Sequence, residues 1–324
     1  MSTHESREYI ETVLKVARMY YQKDMTQQEI AQKIGYSRPT VSRLLQESKR
    51  MGIVRIEIGH PLERLMYLEE ELKRVYNLKF ARVAQVNPGQ DPAGVVPAYA
   101  ASLLIEQSSP DSLITVSNGR AVAATVRAVP VRDWPNANVA QMVGALSPSN
   151  SMTDSPAICR MLADRLGCTM TALHVPMVLS SAHLATVMRQ EPQIATALAL
   201  GGGADVAIEG IGAVEHDRLS PVFDAYVNPE MVRKIRELGA VGTVCGHFVN
   251  AEGQQVDTPL SDRTISVQPE RLLHIPLVIG VAWGSEKVVA IKACLVGGYI
   301  SALVTDQSTA EALLDRGKSV RIMK

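Results

Sequence analysis

The 324-residue sequence predicts an α/β chain in two parts. The first is an N-terminal helix-turn-helix of the winged type over residues 1–60. The second is a Rossmann-like domain with a covered parallel sheet over 79–324, joined to the first by a helix over 61–78. Three observations predict this. The first sixty residues carry three amphipathic segments, with capping residues and a glycine turn between the second and third. From Phe80 onward, short and almost wholly apolar segments alternate with helical ones, the pattern of parallel strands buried on both faces. At roughly 100–200 residues per domain, the length suits two or three domains.

Residues 7–22 place Ile10, Val13, Leu14, Ala17 and Tyr20–Tyr21 on one helical face. Thr26 then caps a second helix, with Glu29 three residues later completing a capping box. That helix turns Ile30, Ala31 and Ile34 inward and stops at Gly35. Ser37 caps a third helix, with Pro39 in the first turn where a missing N–H costs nothing, and Val41, Leu44, Leu45 and Ser48 face inward.

The outward face of the third helix shows Arg38, Pro39, Ser42, Arg43 and Gln46. With Ser37 these sit toward its N-terminal half, where a recognition helix meets base edges in the major groove. Lys49, Arg50 and Arg55 suit phosphates. A plain helical subdomain with a solvated basic face is the alternative, but it leaves the cap, Ala31, Gly35, Val41 and the basic face as separate coincidences. Residues 53–58 alternate apolar and polar, as a short strand forming a wing would.

After His60–Pro61, a helix is expected from about Leu62 to Tyr76. Leu65, Leu68, Leu72 and Val75 form a heptad-like stripe that either packs on the next domain or forms a dimer contact.

Strands are predicted at 81–86, 112–117, 139–144, 170–173, 205–209, 241–248, 277–282 and 302–305. Helices are predicted at 93–107, 119–128, 155–166, 181–190, 229–238, 287–296 and 309–316. Ligands of such sheets sit beyond the carboxyl ends of the strands. Four of those ends are polar or glycine-rich. Ser117-Asn118-Gly119-Arg120 opens a helix whose free N–H groups suit an anion. Residues 144–151, with Ser147, form a hydroxyl-rich loop. The segment Gly242–His247 offers Thr243, Cys245 and His247. Gly284-Ser285-Glu286-Lys287 repeats the strand, glycine and helix arrangement. A lysine in a first helical turn opposes the helix dipole, and a phosphate beside Lys287 and Arg120 supplies a reason for it. Solvated surface residues are the plainer alternative at each position taken singly.

Other chemistries find little support. Gly201-Gly202-Gly203 precedes a strand and so is no dinucleotide fingerprint, and Gly210-Ile211-Gly212 reads as a loop. His174, His183, His216 and His247 lack metal-ligand spacing, and no Walker, nucleophile-elbow or kinase sequence occurs. No metal or cofactor is expected. No lysine occurs between Lys79 and Lys234, so Schiff-base chemistry would have to use Lys234, Lys287, Lys292 or Lys318.

The composition agrees. Basic and acidic residues balance at 33 each, so the whole chain has no pull toward nucleic acid, yet the first sixty residues carry +3. Four cysteines, Cys159, Cys168, Cys245 and Cys294, match no zinc or redox spacing and read as buried thiols of a reducing compartment. The charged N-terminus lacks the apolar core of a signal peptide, and the apolar run 272–283 is too short to span a bilayer. A soluble, cytoplasmic chain is expected.

Specific segments resemble the SorC family of sugar-responsive transcriptional regulators. They are Tyr20-Tyr21 with residues 25–31, Val41-Ser42-Arg43-Leu44-Leu45, residues 204–208 with Gly210-Ile211-Gly212, residues 239–242, Gly297-Gly298-Tyr299-Ile300, and residues 303–306. The resemblance covers nearly the whole chain. It implies an effector domain similar in fold to ribose-5-phosphate isomerase and glucosamine-phosphate deaminase. Such domains bind a phosphorylated sugar or related metabolite, often in tetramers. Thr243 stands where many members carry an acidic residue, and Trp283-Gly284 stands where Gly-Gly is usual. Val143 stands where the deoxyribose-phosphate regulators carry a lysine. These departures predict a less acidic pocket with a tryptophan near its phosphate end, and no Schiff base at that spot.

The expected function is therefore a DNA-binding transcriptional regulator and not an enzyme. Its partners would be operator DNA, a small sugar, polyol or sugar-phosphate effector, and further copies of itself as dimer or tetramer. The alternative is a sugar-phosphate isomerase or deaminase with a DNA-binding appendage. Such chemistry needs a general base at a strand end, and the three segments 117–120, 147–151 and 242–247 offer no carboxylate.

Overall fold

The computed structural model describes residues 7–55, 60–87, 89–146, 153–216 and 218–315. The chain divides into two units, Met1–His60 and Pro61–Lys324.

In the first unit, α1 (Arg7–Tyr21), α2 (Gln27–Ile34) and α3 (Arg38–Arg50) enclose a small core. Val13, Val16, Met19, Ile30, Ala31, Val41, Leu44 and Leu45 fill it. The expected face of α1 is rotated slightly. Val16 and Met19 are buried, whereas Tyr21 is 36% exposed. The Thr26 hydroxyl accepts from the Glu29 N–H while the Glu29 carboxylate accepts from the Thr26 N–H at 2.8 Å, a complete capping box. Gly35 ends α2 in the left-handed region at φ 74°, where a Cβ would be strained. Residues 53–55 are not in a strand, and the rest of the expected wing lies at 56–59, outside the described residues.

The second unit opens with α4 (Pro61–Tyr76). Leu65, Leu68 and Leu72 are buried against its own domain, while Val75 stays 39% exposed. At about 1.5–3 kcal/mol per buried leucine, this packing is a substantial anchor. Glu69 accepts the Val83 N–H at 2.8 Å, and the Tyr76 hydroxyl donates to the Leu313 carbonyl at 2.8 Å.

The chain continues through β1 (Phe80–Ala84), α5 (Val96–Gln107), β2 (Leu113–Val116), α6 (Arg120–Ala128) and β3 (Asn138–Gln141). Next come α7 (Ser155–Leu166), β4 (Thr169–Thr171), α8 (Ala182–Gln190), α9 (Pro192–Gly202), β5 (Val206–Gly210) and β6 (Gly212–Ala213). Then follow α10 (Pro229–Glu237), β7 (Gly242–Val244), β8 (His247–Val249), β9 (Gln255–Val256) and α11 (Pro269–Leu272). The last elements are β10 (Leu277–Val281), α12 (Val288–Val296), β11 (Ala302–Asp306) and α13 (Gln307–Leu314).

Seven strands form a parallel sheet in the order β1-β11-β10-β5-β2-β3-β4. Alternation along β5 sends Val206 and Ile208 to the face covered by α5, α6 and α7, and Ala207 to the face covered by α4, α12 and α13. The eight expected strand positions match except one. Residues 241–248 are not a single strand but the hairpin β7–β8, turned at Cys245-Gly246, within a small antiparallel sheet β6-β7-β8-β9. Cys245 and Gly246 both take positive φ, 49° and 78°, as a two-residue hairpin turn requires. Helix α9 and the short elements β6, β9 and α11 are those that the sequence pattern left unassigned. No described helix is long and apolar enough to cross a membrane.

Candidate functional site

In the first unit, Arg38, Pro39, Arg43, Gln46, Lys49 and Arg50 are exposed on α3, and Ser42 is half-buried. Ser37 is occupied as the N-cap, its hydroxyl accepting the Thr40 N–H at 3.3 Å. Arg50 is already paired with Glu47, its Nε donating to Oε2 at 2.9 Å, so a DNA phosphate has to compete with that carboxylate.

In the second unit, the strand order reverses between β2 and β5. β2 leads to β3 on one side and β5 leads toward β10 on the other. The crevice of a doubly wound sheet lies at such a point. A cavity of about 140 Å³ occupies it, lined by the loop from β2 into α6, the end of β5 with β6, the turn before α12, and β7.

Gly119, at φ 101°, delivers the chain from β2 into α6 and caps that helix with no side chain, so its first-turn N–H groups stay uncovered by a cap. Its own N–H is taken by the Thr153 carbonyl at 3.0 Å. Arg120 lines the cavity from the first position of α6. Lys287 lines it from the far side. It sits at the N-cap of α12, at the end of a tight turn over Ser285–Lys287, one residue short of the expected first helical turn. Burial holds the Lys287 ammonium below its ordinary pKa; Glu286 opposes this, Arg120 adds to it, and Glu215 opposes it. The fold therefore brings Arg120 and Lys287 within electrostatic range of each other, at uncapped helix starts.

Thr243 also lines the cavity, its side chain filling the space where a Cβ on Gly212 would stand. Cys245 and His247 do not. In a single strand, residues 243, 245 and 247 would share one face, but the hairpin pairs Thr243 with Phe248 and Val244 with His247. Directly paired residues share a face, so His247 points away from Thr243. Its Nε2 meets Ser266 Oγ at 2.9 Å, and Gln255 Nε2 lies 3.3 Å from its Nδ1. Cys245 Sγ faces Met142 Sδ at 3.4 Å.

Ser117 is buried and does not line the cavity, its hydroxyl accepting the Gly210 N–H at 3.2 Å. Gly284, at φ 104°, and the exposed Ser285 shape the turn ahead of Lys287 without lining the cavity. Trp283 packs into the apolar layer under α5–α7 instead of entering the pocket. Ser147 and its loop neighbours through 151 lie outside the described residues.

Three carboxylates that the sequence reading did not place in the site line the cavity: Glu209, Glu215 and Glu286. The expectation of a less acidic pocket is thereby corrected, and Glu209 is a strand-end carboxyl outside segments 117–120, 147–151 and 242–247. Glu209 is the fourth residue of β5, 1% exposed. Its Oε1 accepts the Cys245 N–H at 2.7 Å, and burial pushes its carboxyl up to about 8. A charged residue ending an otherwise apolar strand, just before Gly210-Ile211-Gly212, was the available signal. Arg218 also lines the cavity and pairs with Glu215 at 2.9 Å.

Residues 60–315 match the family described as "Putative sugar-binding domain", and residues 13–68 match a Crp-like helix-turn-helix domain. Across 95% of this chain and 99% of the relative, the sequence is 31% identical to the deoxyribonucleoside regulator of Bacillus subtilis (strain 168). The chain belongs to the SorC family of sugar-binding transcriptional regulators. The transcriptional regulator LsrR of Escherichia coli (strain K12) is likewise 31% identical, over 94% of each chain. The full-length sorbitol operon regulator SorC from Klebsiella pneumoniae superposes with a TM-score of 0.75 at 30% identity, covering 95% of this chain and 99% of that one. These SorC-family relatives are regulators, and this chain is a DNA-binding transcriptional regulator with a sugar-binding domain, not an enzyme.

Proposed function

We propose that this regulator responds to a small phosphorylated sugar or polyol held at the β2/β5 crevice. The observation that carries the reading is the convergence of Arg120 and Lys287 there, at the uncapped starts of α6 and α12. The phosphate would sit between the two cations, and Thr243 would meet the hydroxyl-bearing remainder. The Rossmann-like order of strands supports a fold relationship with sugar-phosphate isomerases and deaminases.

On the DNA side, Arg38, Ser42, Arg43 and Gln46 would read base edges, and Lys49 and Arg50 would contact phosphates. One such unit reads few base pairs, so a homo-oligomer presenting paired recognition helices follows from the specificity required. The effector shifts DNA affinity only as far as it binds one arrangement of that oligomer better than the other.

Fluorescence anisotropy of labelled promoter DNA tests this. Phosphorylated sugars or polyols should change the affinity while their free parents should not. A change produced equally by the free compounds would reject the phosphate reading.

A further inference from the structure

Glu209 is a buried carboxyl in the cavity wall that the phosphate reading leaves without a task. A carboxyl at the end of a buried strand is costly unless its oxygens are satisfied. Only half of this one is. Oε1 takes the Cys245 N–H, and Ser117 lies beside the group, while Oε2 is buried and has no partner among the described residues. Glu209 is among the residues that line the cavity, and Oε2 is the carboxyl oxygen left without a protein partner there.

We propose that Glu209 is a specificity-determining residue whose Oε2 hydrogen-bonds a hydroxyl group of the effector. This rests on the sugar-phosphate reading above and extends it to the other end of the ligand. Arg120 and Lys287 take the anionic group, and Glu209 selects polyhydroxylated molecules over other phosphate esters. The neighbours favour a hydroxyl over an ammonium partner. The thiols of Cys245 on the hairpin and Cys294 on α12 lie within electrostatic range of Glu209 and carry no positive charge, while the cations of the cavity, Arg120, Lys287 and the Glu215-paired Arg218, come from other elements of its lining. Burial accordingly favours the protonated carboxyl at neutral pH. With Oε1 already accepting, a protonated Oε2 donates to a ligand oxygen, and a sugar hydroxyl offers one without a counter-charge.

Titration calorimetry on the full-length protein tests this with sorbitol 6-phosphate, ribose 5-phosphate and inorganic phosphate. The variants are Glu209→Val, Glu209→Gln and Lys287→Ala. Glu209→Val should weaken the two sugar phosphates tenfold or more and leave inorganic phosphate unchanged. Glu209→Gln, whose amide also donates from that position, should stay within about threefold of the parent. Unchanged inorganic phosphate affinity shows that the cavity has kept its shape. Sugar-phosphate affinity unaffected in Glu209→Val overturns the proposal. A Gln variant as weak as the Val variant also overturns it, since a negative charge and not a hydrogen-bond donor would then be required. If Glu209→Val loses binding while Lys287→Ala keeps it, the role of Glu209 stands and the phosphate assignment falls.

Discussion

The Glu209 carboxyl accepts the backbone N–H of Cys245 at 2.7 Å through Oε1, joining the end of β5 to the turn of the β7–β8 hairpin. Cys245 holds φ at 49°, a conformation that costs a non-glycine residue roughly 1–3 kcal/mol unless its surroundings enforce it. The same residue thus holds a strained turn with one carboxyl oxygen and lines the cavity, its other oxygen having no partner among the described residues. A ligand hydrogen-bonded to Glu209, as proposed above, would act directly on the group that anchors the second sheet.

The buried carboxyl makes stability depend on pH in a defined direction. Glu209 in the folded protein takes up its proton up to about 8, against an ordinary value of 4.5. The folded state therefore binds more protons between those limits, and stability falls as pH rises through that window. Each tenfold difference in proton affinity is worth about 1.4 kcal/mol, so the total is on the order of a few kcal/mol. Urea unfolding of the parent and of Glu209→Gln at pH 5, 7 and 9 should show the variant gaining relative stability as pH rises. Parallel curves would refute the buried, proton-holding carboxyl.

On the recognition helix, Arg43→Ala should weaken promoter binding by about 1–3 kcal/mol and relax the choice of base at one position. Lys49→Ala should weaken all sequences evenly and reduce the salt slope by about one. Anisotropy titrations across a salt series separate the two, and equal behaviour of the variants would contradict the division between base and phosphate contacts.

Thr26→Ala removes one half of the capping box at α2 and should cost the first unit about 1 kcal/mol. The check is urea unfolding followed by circular dichroism.

Gly242 is held at the start of β7 by lack of space. A Cβ there would lie 2.7 Å from the Ala290 Cβ on α12. Gly242→Ala should therefore push α12 and the small sheet apart and destabilise the protein by about 1–3 kcal/mol, with weaker ligand binding through Lys287 at the head of α12. Denaturant unfolding and titration calorimetry measure both effects.

Much of the fold was legible because local signals and burial agreed. Thr26, Glu29, Gly35 and Ser37 mark helix ends by their own hydrogen bonds and dihedrals, and the structure shows them doing so. Apolar runs such as 277–281 read as parallel strands because both faces are covered. The site was harder to read. Arg120 and Lys287 follow glycines at positive φ, a visible pattern, whereas Cys245 and His247 were placed by assuming one strand. The turn between them carries a cysteine at a left-handed position, where asparagine or glycine would have announced a hairpin. Glu209 was hidden in a strand, because strand period alone does not say which buried side chain ends at a cavity.

The most direct test is thermal unfolding of the full-length protein against free and phosphorylated sugars and polyols, with Lys287→Ala alongside. The account predicts stabilisation restricted to phosphorylated compounds and abolished by Lys287→Ala. Stabilisation by unphosphorylated polyols alone, or by phosphorylated ones equally in the variant, would contradict it.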